Sequence, residues 1–480
     1  MTEPAEALAG APAVDAARAA LAGRGGAWVV GGAVRDALLG RPVVDVDLAV
    51  AEGEREAALA VARAAGGAAF ELSSEFRTWR AQPAGQSWHL DVTRIRAELI
   101  EDDLAQRDFA INAIAVPLAD LAAAPIDPSG GRGDIERRAL RAVSERSFAA
   151  DPLRIMRAAR LAVVLGFTID PETVALARAE AARAGEPAGE RQLAELRLLI
   201  AADDPIRGLR LLDELGATAA VLPELEALKG VGQNLNHHLD VHGHTIEVLA
   251  NVLAVERDLD RYAGESAAGV GELLAEPLAD GLTRGTALRL GALVHDFGKP
   301  ATREERGDGF ATFRGHDREG ARIVGEAFAR LKASRALTRH LEALTRHHLH
   351  LGFMAAERPL PRRRLYDYLK LTEPVAADVT LLTVADRLAA RGSGPTASPE
   401  MVEAHLALAR EVLPEALAWH RSGGPRSPLP GDELAAAVGI EPGPELGELI
   451  AEVEAGVFCG EVRSRGDAIE LARRTLAAGG

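Results

Sequence analysis

The sequence predicts a mixed α/β head, made of a sheet with helices, followed by an all-α remainder. Two observations predict this fold class. Between Ala27 and about Val143, short apolar runs alternate with stretches of helical periodicity, as in a mixed α/β unit. From about residue 148 almost to the end, the strand pattern disappears and helical periodicity continues. The 480 residues are enough for about three domains, each with its own core.

The head elements can be assigned in order. The apolar run at 27–30 predicts a strand, and Gly31-Gly32 predicts a turn. A short helix follows and ends at Gly40, where a left-handed conformation costs little. Four more strands and one helix are predicted from alternation and helical spacing, namely VDVDLAV (44–50), the helix EREAALAVARAA (54–65), AAFEL (68–72), TWRAQ (78–82) and SWHLDVTRI (87–95).

Proline- and glycine-rich segments divide the helical remainder, near residues 185–189, 223–232, 392–399 and 423–431. We therefore predict five parts, which are a flexible Ala-rich leader (1–23), the head (24–147), a helical neck (148–230), a helical domain (231–395) and a helical tail (396–480).

Composition excludes several classes of protein. The N-terminus lacks the basic and apolar regions of a signal peptide, and no apolar stretch is long enough to span a membrane. The single cysteine, Cys459, excludes an internal disulfide and a thiolate zinc site, so we expect a soluble cytoplasmic protein. The net charge of −16 argues against a general nucleic-acid coat, although a local basic face would suffice to bind RNA. Nothing in the sequence predicts an oligomeric state.

The most informative segment is VVGGAVRDALLGRPVVDVDLAV, residues 29–50. Side chains on a strand alternate between faces, so Asp45 and Asp47 point the same way. Two aligned carboxylates beside a glycine turn and a helix N-terminus suit divalent metal ions and a polyphosphate. The segment therefore indicates metal-assisted phosphoryl or nucleotidyl transfer.

This segment resembles the opening motif of the class II tRNA nucleotidyltransferase and bacterial poly(A) polymerase family. Further segments resemble the family's motifs in the family's order, and these are QRDFAINAIAV (106–116), DPSGGRGD (127–134), DPLRIMRAAR (151–160) and GERQLAEL (189–196). Two positions depart from the family pattern, because Gln106 replaces an arginine and Ala150 replaces a glutamate.

The resemblance implies roles for individual residues. Asp45 and Asp47 would hold two Mg²⁺ ions that align the 3′-hydroxyl of the tRNA acceptor end with the α-phosphate of CTP or ATP, and Asp91 would be a third catalytic carboxylate. The other implied nucleotide-binding residues are Gly31, Gly32, Arg35, Asp36, Arg107, Asp108, Asn112, Asp151, Arg154, Arg157 and Arg191.

Hydrogen-bond chemistry supports a base-selecting role for Asp151 and Arg154, which we predict to share one face of a helix. Cytosine and adenine each present an amino donor beside a ring-nitrogen acceptor. An aspartate that accepts from the amino group and an arginine that donates to the ring nitrogen would select both bases. Uracil and guanine present the reverse pattern and would be rejected.

A second group of histidines and acids lies between residues 237 and 386, in an order that resembles the HD phosphohydrolase domain. The resemblance implies that His244, His295, Asp296 and Asp386 hold one divalent ion, a transition metal or Mg²⁺. His316 and His347 would add a second, and Lys299 would contact a phosphate. A degenerate domain kept for scaffolding or RNA docking is the alternative. The basic stretch PRRRLYDYLK (361–370) would either grip RNA or begin a solvated helix.

We therefore predict a template-independent enzyme that adds CMP and AMP to tRNA, with an HD phosphohydrolase activity. Only RAELIEDDLA (96–105) separates the third-carboxylate strand from QRDF, and by resemblance this short form indicates a CC-adding enzyme instead. A poly(A) polymerase, or an HD phosphohydrolase with a non-catalytic RNA-binding head, are further alternatives.

Overall fold

A computed structural model describes residues 4–73, 77–85, 88–306, 311–355, 357 and 359–479. Ser87, at the start of the predicted strand SWHLDVTRI, and the first three residues of the predicted leader lie outside this set. The chain forms two compact units, residues 1–221 and 222–480. The finer division into five parts stays a prediction. Within the described residues, no helix combines the length and the apolar character needed to cross a bilayer.

The first unit contains the predicted sheet. Its strands are β1 Ala27–Val30, β2 Asp45–Val50, β3 Ala68–Ser73, β4 Thr78–Gln82, β5 His89–Arg94, β6 Ala115–Pro117 and the short pair β7 Ala139–Leu140 and β8 Thr168–Ile169. Its helices are α1 Pro4–Ala9, α2 Pro12–Ala20, α3 Gly32–Leu38, α4 Glu54–Ala64, α5 Ile100–Leu104, α6 Gly131–Arg137, α7 Ser147–Ala150, α8 Leu153–Leu165, α9 Pro171–Glu180, α10 Gly189–Ala201, α11 Pro205–Glu214 and α12 Thr218–Val221. The mixed α/β head followed by helices is confirmed.

The sheet has the strand order β3-β4-β5-β2-β1-β6. β2 and β5 are parallel, and their register places Asp47 directly beside Asp91. The residues that alternate with these carboxylates along the two strands point to the other face, where Val46, Leu48, Leu90 and Val92 are buried. One face of the sheet therefore packs into the core, while the other carries the acidic side chains.

The prediction of a flexible leader over residues 1–23 is wrong for the residues that the structure describes. Helices α1 and α2 occupy most of this segment and pack against α3 and α4. Leu8 and Val14 are fully buried. Alanine-rich sequence gives only a weak amphipathic pattern, but alanine has high helix propensity and permits close helix packing.

Replacing Leu8 with alanine should lower the free energy of unfolding by about 3 kcal/mol, because truncation of a fully buried leucine leaves a cavity. Urea denaturation would measure the change. The matched control is Glu6→Ala, at an exposed position of the same helix, which should change stability by less than about 0.5 kcal/mol. Equal small effects of both variants would contradict the packing of α1.

The second unit is almost wholly helical. Its helices are α13 Pro223–Glu226, α14 Val241–Arg257, α15 Leu259–Ala263, α16 Ala267–Ala275, α17 Arg284–Val294, α18 His316–Arg330, α19 Arg335–His347, α20 His350–Met354, α21 Arg362–Leu371, α22 Ala376–Ala389, α23 Pro399–Ser422, α24 Gly431–Val438, α25 Pro444–Cys459 and α26 Arg465–Gly479. The described residues of this unit also include two short antiparallel strand pairs that were not predicted from the sequence, β9 Pro277–Ala279 with β10 Leu282–Thr283 and β11 Glu304–Glu305 with β12 Ala311–Thr312.

Candidate active site and metal centre

Asp45 and Asp47 project from β2 on the same face of the sheet, as the strand alternation predicts. Both residues are exposed, whereas Val46 between them is 2% exposed. Gly31 ends the turn after β1 with φ of 71° and immediately precedes α3. A β-carbon at Gly31 would lie 3.2 Å from Nη1 of Arg107 and 3.3 Å from Oδ2 of Asp47. Glycine is needed here both for its backbone conformation and for the close approach of these two side chains.

An open cleft of about 370 Å³ in the first unit collects most of the predicted nucleotide-binding residues. Its lining includes Asp47, Arg107, Asp108, Asp151, Arg154, Arg157 and Arg191, together with Thr78, Thr93, Arg94, Arg96 and Asp103. These residues come from the sheet, from the segment after β5 and from the first helices of the predicted neck. The arrangement combines acids that suit metal ions with arginines that suit phosphates.

The electrostatic surroundings of Asp47 disfavour its ionised form. Although Asp47 faces the open cleft, desolvation by the protein around it raises the pKa of its carboxyl, and the charges of Asp91 and Asp45 act in the same direction. Arg107 opposes this shift. A cation in the cleft would therefore relieve the crowding of negative charge at Asp47.

Arg35, Asp36 and Asn112 form a polar group beside the glycine turn. Arg35 donates from Nε and Nη2 to Asp36, at 3.0 and 2.9 Å, and from Nη1 to Oδ1 of Asn112, at 2.8 Å. Asn112 donates in turn to Asp108 at 3.2 Å. These residues therefore bond to one another, and their direct contact with a nucleotide stays a prediction.

Asp108 links the head to the helices that follow it. Its carboxylate is buried and accepts hydrogen bonds from Arg157, from the backbone N–H of Phe109 and from Asn112. Although burial opposes ionisation, the Arg157 guanidinium and these hydrogen bonds lower the pKa of Asp108 to about 2. Arg157 also contacts Glu195 on α10, a residue that sequence reasoning missed. Asp108 is therefore ionised and held firmly at neutral pH.

Asp151 and Arg154 lie in the same cleft, but the prediction that they share a helix is wrong. Helix α8 begins at Leu153, because the residue before Pro152 is sterically disfavoured in the helical conformation. Asp151 has extended backbone, and its carboxylate accepts from the Leu153 N–H at 3.2 Å and from Arg191 at 2.7 Å. Arg191 thus holds the carboxylate of Asp151 in the structure.

Arg154 is fixed by backbone carbonyls. Its Nη1 donates to the carbonyls of Arg107, at 3.1 Å, and Ser147, at 3.3 Å, and its Nη2 donates to that of Gln106 at 2.9 Å. A guanidinium has five N–H groups. Three are used within the described residues, which leaves one on Nε and one on Nη2 for a ligand.

The second unit contains a cluster of buried metal-ligand side chains. His244, His295 and Asp386 form one compact group, and Asp296, His316 and His348 form another. Asp296 belongs to the second group but its two oxygens contact histidines of both groups. Its Oδ2 is 3.2 Å from Nε2 of His295 and 3.7 Å from Nε2 of His244, whereas its Oδ1 is 3.5 Å from Nε2 of His316 and 3.9 Å from Nε2 of His348.

The structure does not place the predicted ligand His347 in this cluster; its neighbour His348 lies there instead. Successive residues of a helix point about 100° apart, so only one of two adjacent histidines at the end of α19 can face the cluster. His348 is 2% exposed and lies in the cluster. His347 instead contacts the ring of His350, with centroids 5.2 Å apart.

The hydrogen bonds of three histidines prepare them to bind a cation. Nδ1 of His295, His316 and His348 lies 2.8, 2.7 and 2.6 Å from the carbonyls of Ala292, Phe313 and Thr345. A carbonyl only accepts, so Nδ1 carries the proton and Nε2 presents a lone pair to the cluster.

Two of these lone pairs face each other without a proton between them. Nε2 of His316 and Nε2 of His348 are 3.2 Å apart. Burial, with His295 and His316 close by, lowers the pKa of His348 to about 3, so its ring is neutral at pH 7. Nε2 of His295 and Oδ1 of Asp296 are also buried without a hydrogen bond to any described residue. Metal ions bound at the two groups would provide partners for these atoms, so the cluster fits divalent cations.

Three further residues border this cluster: Lys299, which was predicted from the sequence, and Gln233 and His237, which were not. Lys299 Nζ lies 2.7 Å from Oδ2 of Asp296 and donates to Oε1 of Gln233 at 2.6 Å. His237 packs its ring against that of His244, with centroids 4.5 Å apart. Gln233 and His237 lie in the histidine-rich segment that precedes α14. That composition is the sequence feature from which their place beside the cluster could have been predicted.

Family models of known proteins match three segments of the chain. The model of the poly A polymerase head domain matches residues 27–141, that of the probable RNA and SrmB-binding site of polymerase A matches 166–229, and that of the HD domain matches 241–391. An A-adding tRNA nucleotidyltransferase of Deinococcus radiodurans is 35% identical over 455 residues, covering 94% of this chain and 95% of that one. The chain belongs to the tRNA nucleotidyltransferase family.

Other members of the tRNA nucleotidyltransferase family differ in the product that they are named for. A CC-adding enzyme of Geobacter sulfurreducens is 32% identical and covers 94% of this chain and 92% of its own. A multifunctional CCA protein of Pseudomonas fluorescens is 33% identical and covers 69% and 76%. The fold is also that of a Thermotoga maritima CCA-adding enzyme complexed with tRNA, with a TM-score of 0.61, 20% identity and 99% of each chain covered.

The two positions at which this chain differs from the family's motifs lie close together in the structure. Gln106 and Ala150 both line a recess of about 550 Å³, which shares Asp151, Arg154 and Arg191 with the main cleft. The side chain of Gln106 donates to the carbonyl of Asp102 at 3.3 Å. Both departures thus lie beside the predicted base-selecting residues, and neither lies among the carboxylates predicted to bind metal.

The arginine-rich stretch at 361–370 does not form a free RNA-binding face. Arg362, Arg363 and Arg364 pair with Glu415, Glu452 and Glu357. Tyr366 and Tyr368 are buried. The ion pairs and buried tyrosines of this stretch, which forms α21, therefore attach the helix to its neighbours in the second unit.

Proposed function

We propose that this protein adds cytidylate and adenylate residues to the 3′ end of tRNA, with CTP and ATP as donors. In the reaction, the oxygen of the tRNA 3′-hydroxyl attacks the α-phosphorus, and the bond to pyrophosphate breaks. The observation that supports this proposal is the single cleft that contains Asp47, Arg107, Asp151 and Arg154. It combines residues suited to metal ions, to phosphates and to a base.

Asp45 and Asp47 are the residues proposed to hold Mg²⁺. Their carboxylates share one face of the sheet, and desolvation together with the charges of Asp91 and Asp45 raises the pKa of Asp47, so a cation bound there would favour its ionised form. Magnesium bound there would neutralise charge on the triphosphate and lower the pKa of the attacking hydroxyl.

Arg107 is the proposed contact for the triphosphate. Its guanidinium lies beside Asp47 at the glycine turn, and its Nε is buried without a partner among the described residues. The carboxylate of Asp103 accepts from Nη2 at 3.4 Å and holds the group in place. A phosphate oxygen would provide the missing acceptor for Nε.

Asp151 and Arg154 are the proposed base-selecting residues. Each Asp151 oxygen accepts one hydrogen bond within the protein and retains a lone pair for the amino group of cytosine or adenine. The two remaining N–H groups of Arg154 would donate to the ring-nitrogen side of the base. Because Arg191 holds Asp151 and backbone carbonyls hold Arg154, the protein itself would present the hydrogen-bonding pattern that selects the base, without a nucleic-acid template.

A specialist enzyme that adds only CC or only A is the second candidate. Relatives that match nearly the whole chain are named for one or other of these products. The segment after β5 is also anchored: Ile95, Ile100 and Leu104 are buried, and Asp103 accepts from the Arg96 N–H at 3.0 Å. A fixed segment here favours a pocket set for one base over a pocket that is rebuilt between two.

Labelled CTP and ATP, tested on tRNA that ends at the discriminator base, at C and at CC, would decide between these products. Sequential addition of C, C and A is the result that we expect. CMP addition that stops at CC, or AMP addition to the CC end alone, would establish a specialist. Long adenylate tails on RNA other than tRNA would establish a poly(A) polymerase.

We also propose that the second unit hydrolyses phosphate esters. The facing lone pairs of His316 and His348, and the shared position of Asp296, support a metal centre held by His244, His295, Asp296, His316, His348 and Asp386. A transition metal or Mg²⁺ bound there would polarise a phosphate and activate water. Lys299, held by Asp296 and Gln233, would contact the phosphate. The complete ligand set favours this activity over a degenerate domain.

A further inference from the structure

Both carboxylate oxygens of Asp91, the predicted third catalytic carboxylate, accept hydrogen bonds from one arginine. Arg80 donates from Nε to Oδ1 of Asp91 at 2.7 Å and from Nη2 to Oδ2 at 2.8 Å. This is a bidentate pair, the strongest geometry available between these groups. The two side chains are 27% and 15% exposed, so solvent screens the pair only in part.

The sheet itself produces this pairing. β4 and β5 are antiparallel with Arg80 directly opposite Asp91, so the two side chains lie on the same face. On the other side of β5, the parallel register places Asp47 beside Asp91, about 5 Å away across the strands. Asp91 therefore lies between an arginine and a proposed magnesium ligand.

We propose that Arg80 withholds Asp91 from the metal site, so that Asp45 and Asp47 alone bind the metal ions in the head. This inference rests on the proposed nucleotidyl transfer. A divalent ion on Asp91 would face the guanidinium at close range and would have to displace a bidentate hydrogen-bonded pair. Arg80 also reduces the negative charge of the carboxylate row from three to two, which weakens metal binding in the absence of nucleotide. Arg80 is in this sense a positioning residue.

The hydrogen bond to Asp91 raises the pKa of Arg80, and the charges of Asp45 and Asp47 add to this. The guanidinium is thus fully charged, and it is attracted by all three carboxylates, those of Asp91, Asp45 and Asp47. Loss of its charge would leave Asp91 free to turn toward the ion held by its neighbour Asp47.

A charge-matched double variant tests the proposal. In Arg80→Gln/Asp91→Asn the net charge of the site is unchanged and the pair is replaced by two amides. The probe is Mn²⁺ alone, measured by electron paramagnetic resonance titration of the nucleotide-free full-length protein. We expect the Kd of the double variant to stay within threefold of the wild type. A loss of tenfold or more would show that Asp91 is a metal ligand and would overturn the proposal.

The single variant Arg80→Gln provides the second measurement. With Asp91 released, we expect Mn²⁺ binding at least tenfold tighter than in the wild type. An unchanged or weaker affinity would also overturn the proposal, whereas a merely structural role of Arg80 predicts no tightening. Thermal unfolding of each variant confirms that it is folded.

The variant Asp45→Asn/Asp47→Asn separates this inference from the proposed function. If the head binds metal as proposed, this variant loses the Mn²⁺ site of the first unit, and the Arg80 comparison then decides the inference alone. Mn²⁺ binding in the head that survives loss of both carboxylates would overturn the proposed nucleotidyl transfer and, with it, this inference. Substituting both His295 and His348 with Gln in every protein disables the two ligand groups of the second unit and so removes its signal.

Discussion

Replacing Asp47 with asparagine should abolish nucleotide addition, with a loss in kcat/KM of at least about 1,000-fold, or about 4 kcal/mol of transition-state stabilisation. An asparagine keeps the shape of the side chain but removes the charge that holds the metal ion. Incorporation of labelled CMP and AMP into tRNA would measure this loss. The matched control is Asp15→Asn on α2, which is exposed and outside the cleft, and it should leave the rate unchanged.

The same substitution should stabilise the metal-free protein. The pKa of Asp47 is higher in the folded state than in the unfolded state. The free energy of unfolding therefore falls as the pH rises above the unfolded-state pKa, and the loss is complete once the pH exceeds the folded-state pKa. Asparagine removes that penalty at neutral pH, and we expect Tm to rise by about 2 °C. A variant that is inactive and also less stable than the wild type would indicate damaged packing, and would contradict the assignment of Asp47 as a charged ligand site.

Local sequence predicted the carboxylate pair because strand alternation depends only on neighbouring residues. Asp45 and Asp47 had to share a face once the strand was assigned. The partner of Asp91 could not be predicted in this way, because the pairing with Arg80 depends on the register between β4 and β5. Register is set by the hydrophobic pattern of the whole sheet and by turn geometry, which a motif does not contain.

The errors at 1–23 and at Asp151 have different physical causes. Alanine-rich sequence can form helices, but whether it packs depends on the surface of α3 and α4 that it meets. At Asp151, spacing of three residues predicted a shared helix face, and Pro152 instead placed the aspartate before the helix. The restriction that proline imposes on the preceding residue was available in the sequence and gives the correct boundary.

To choose between His347 and His348, one must know which side of α19 faces the core at its last turn. Both residues follow the same motif spacing, and only the packing of Leu337, Leu341 and Leu344 into the core fixes which histidine faces inward. The sequence thus predicted a cluster of histidines and acids but not which of these two histidines lies in it. An experiment on the adjacent pair therefore tests the structure directly.

Replacing His348 with glutamine should weaken metal binding in the second unit by about 100-fold, whereas the same change at His347 should have no effect on it. His348 directs Nε2 at Asp296 and His316, while His347 is half-buried against His350. Metal content after dialysis, and hydrolysis of bis-p-nitrophenyl phosphate with added Mn²⁺ or Ni²⁺, would measure the difference.

The two glutamine variants are matched in chemistry and differ by one position, so general damage to α19 cannot explain a difference between them. Nucleotide addition to tRNA should be retained by both, since the proposed transfer residues all lie in residues 1–221. Equal metal content in the two variants would contradict His348 as a ligand. Loss of metal in the His347 variant alone would show that the last turn of α19 has the other phase, and that the ligand expected from the sequence motif was correct.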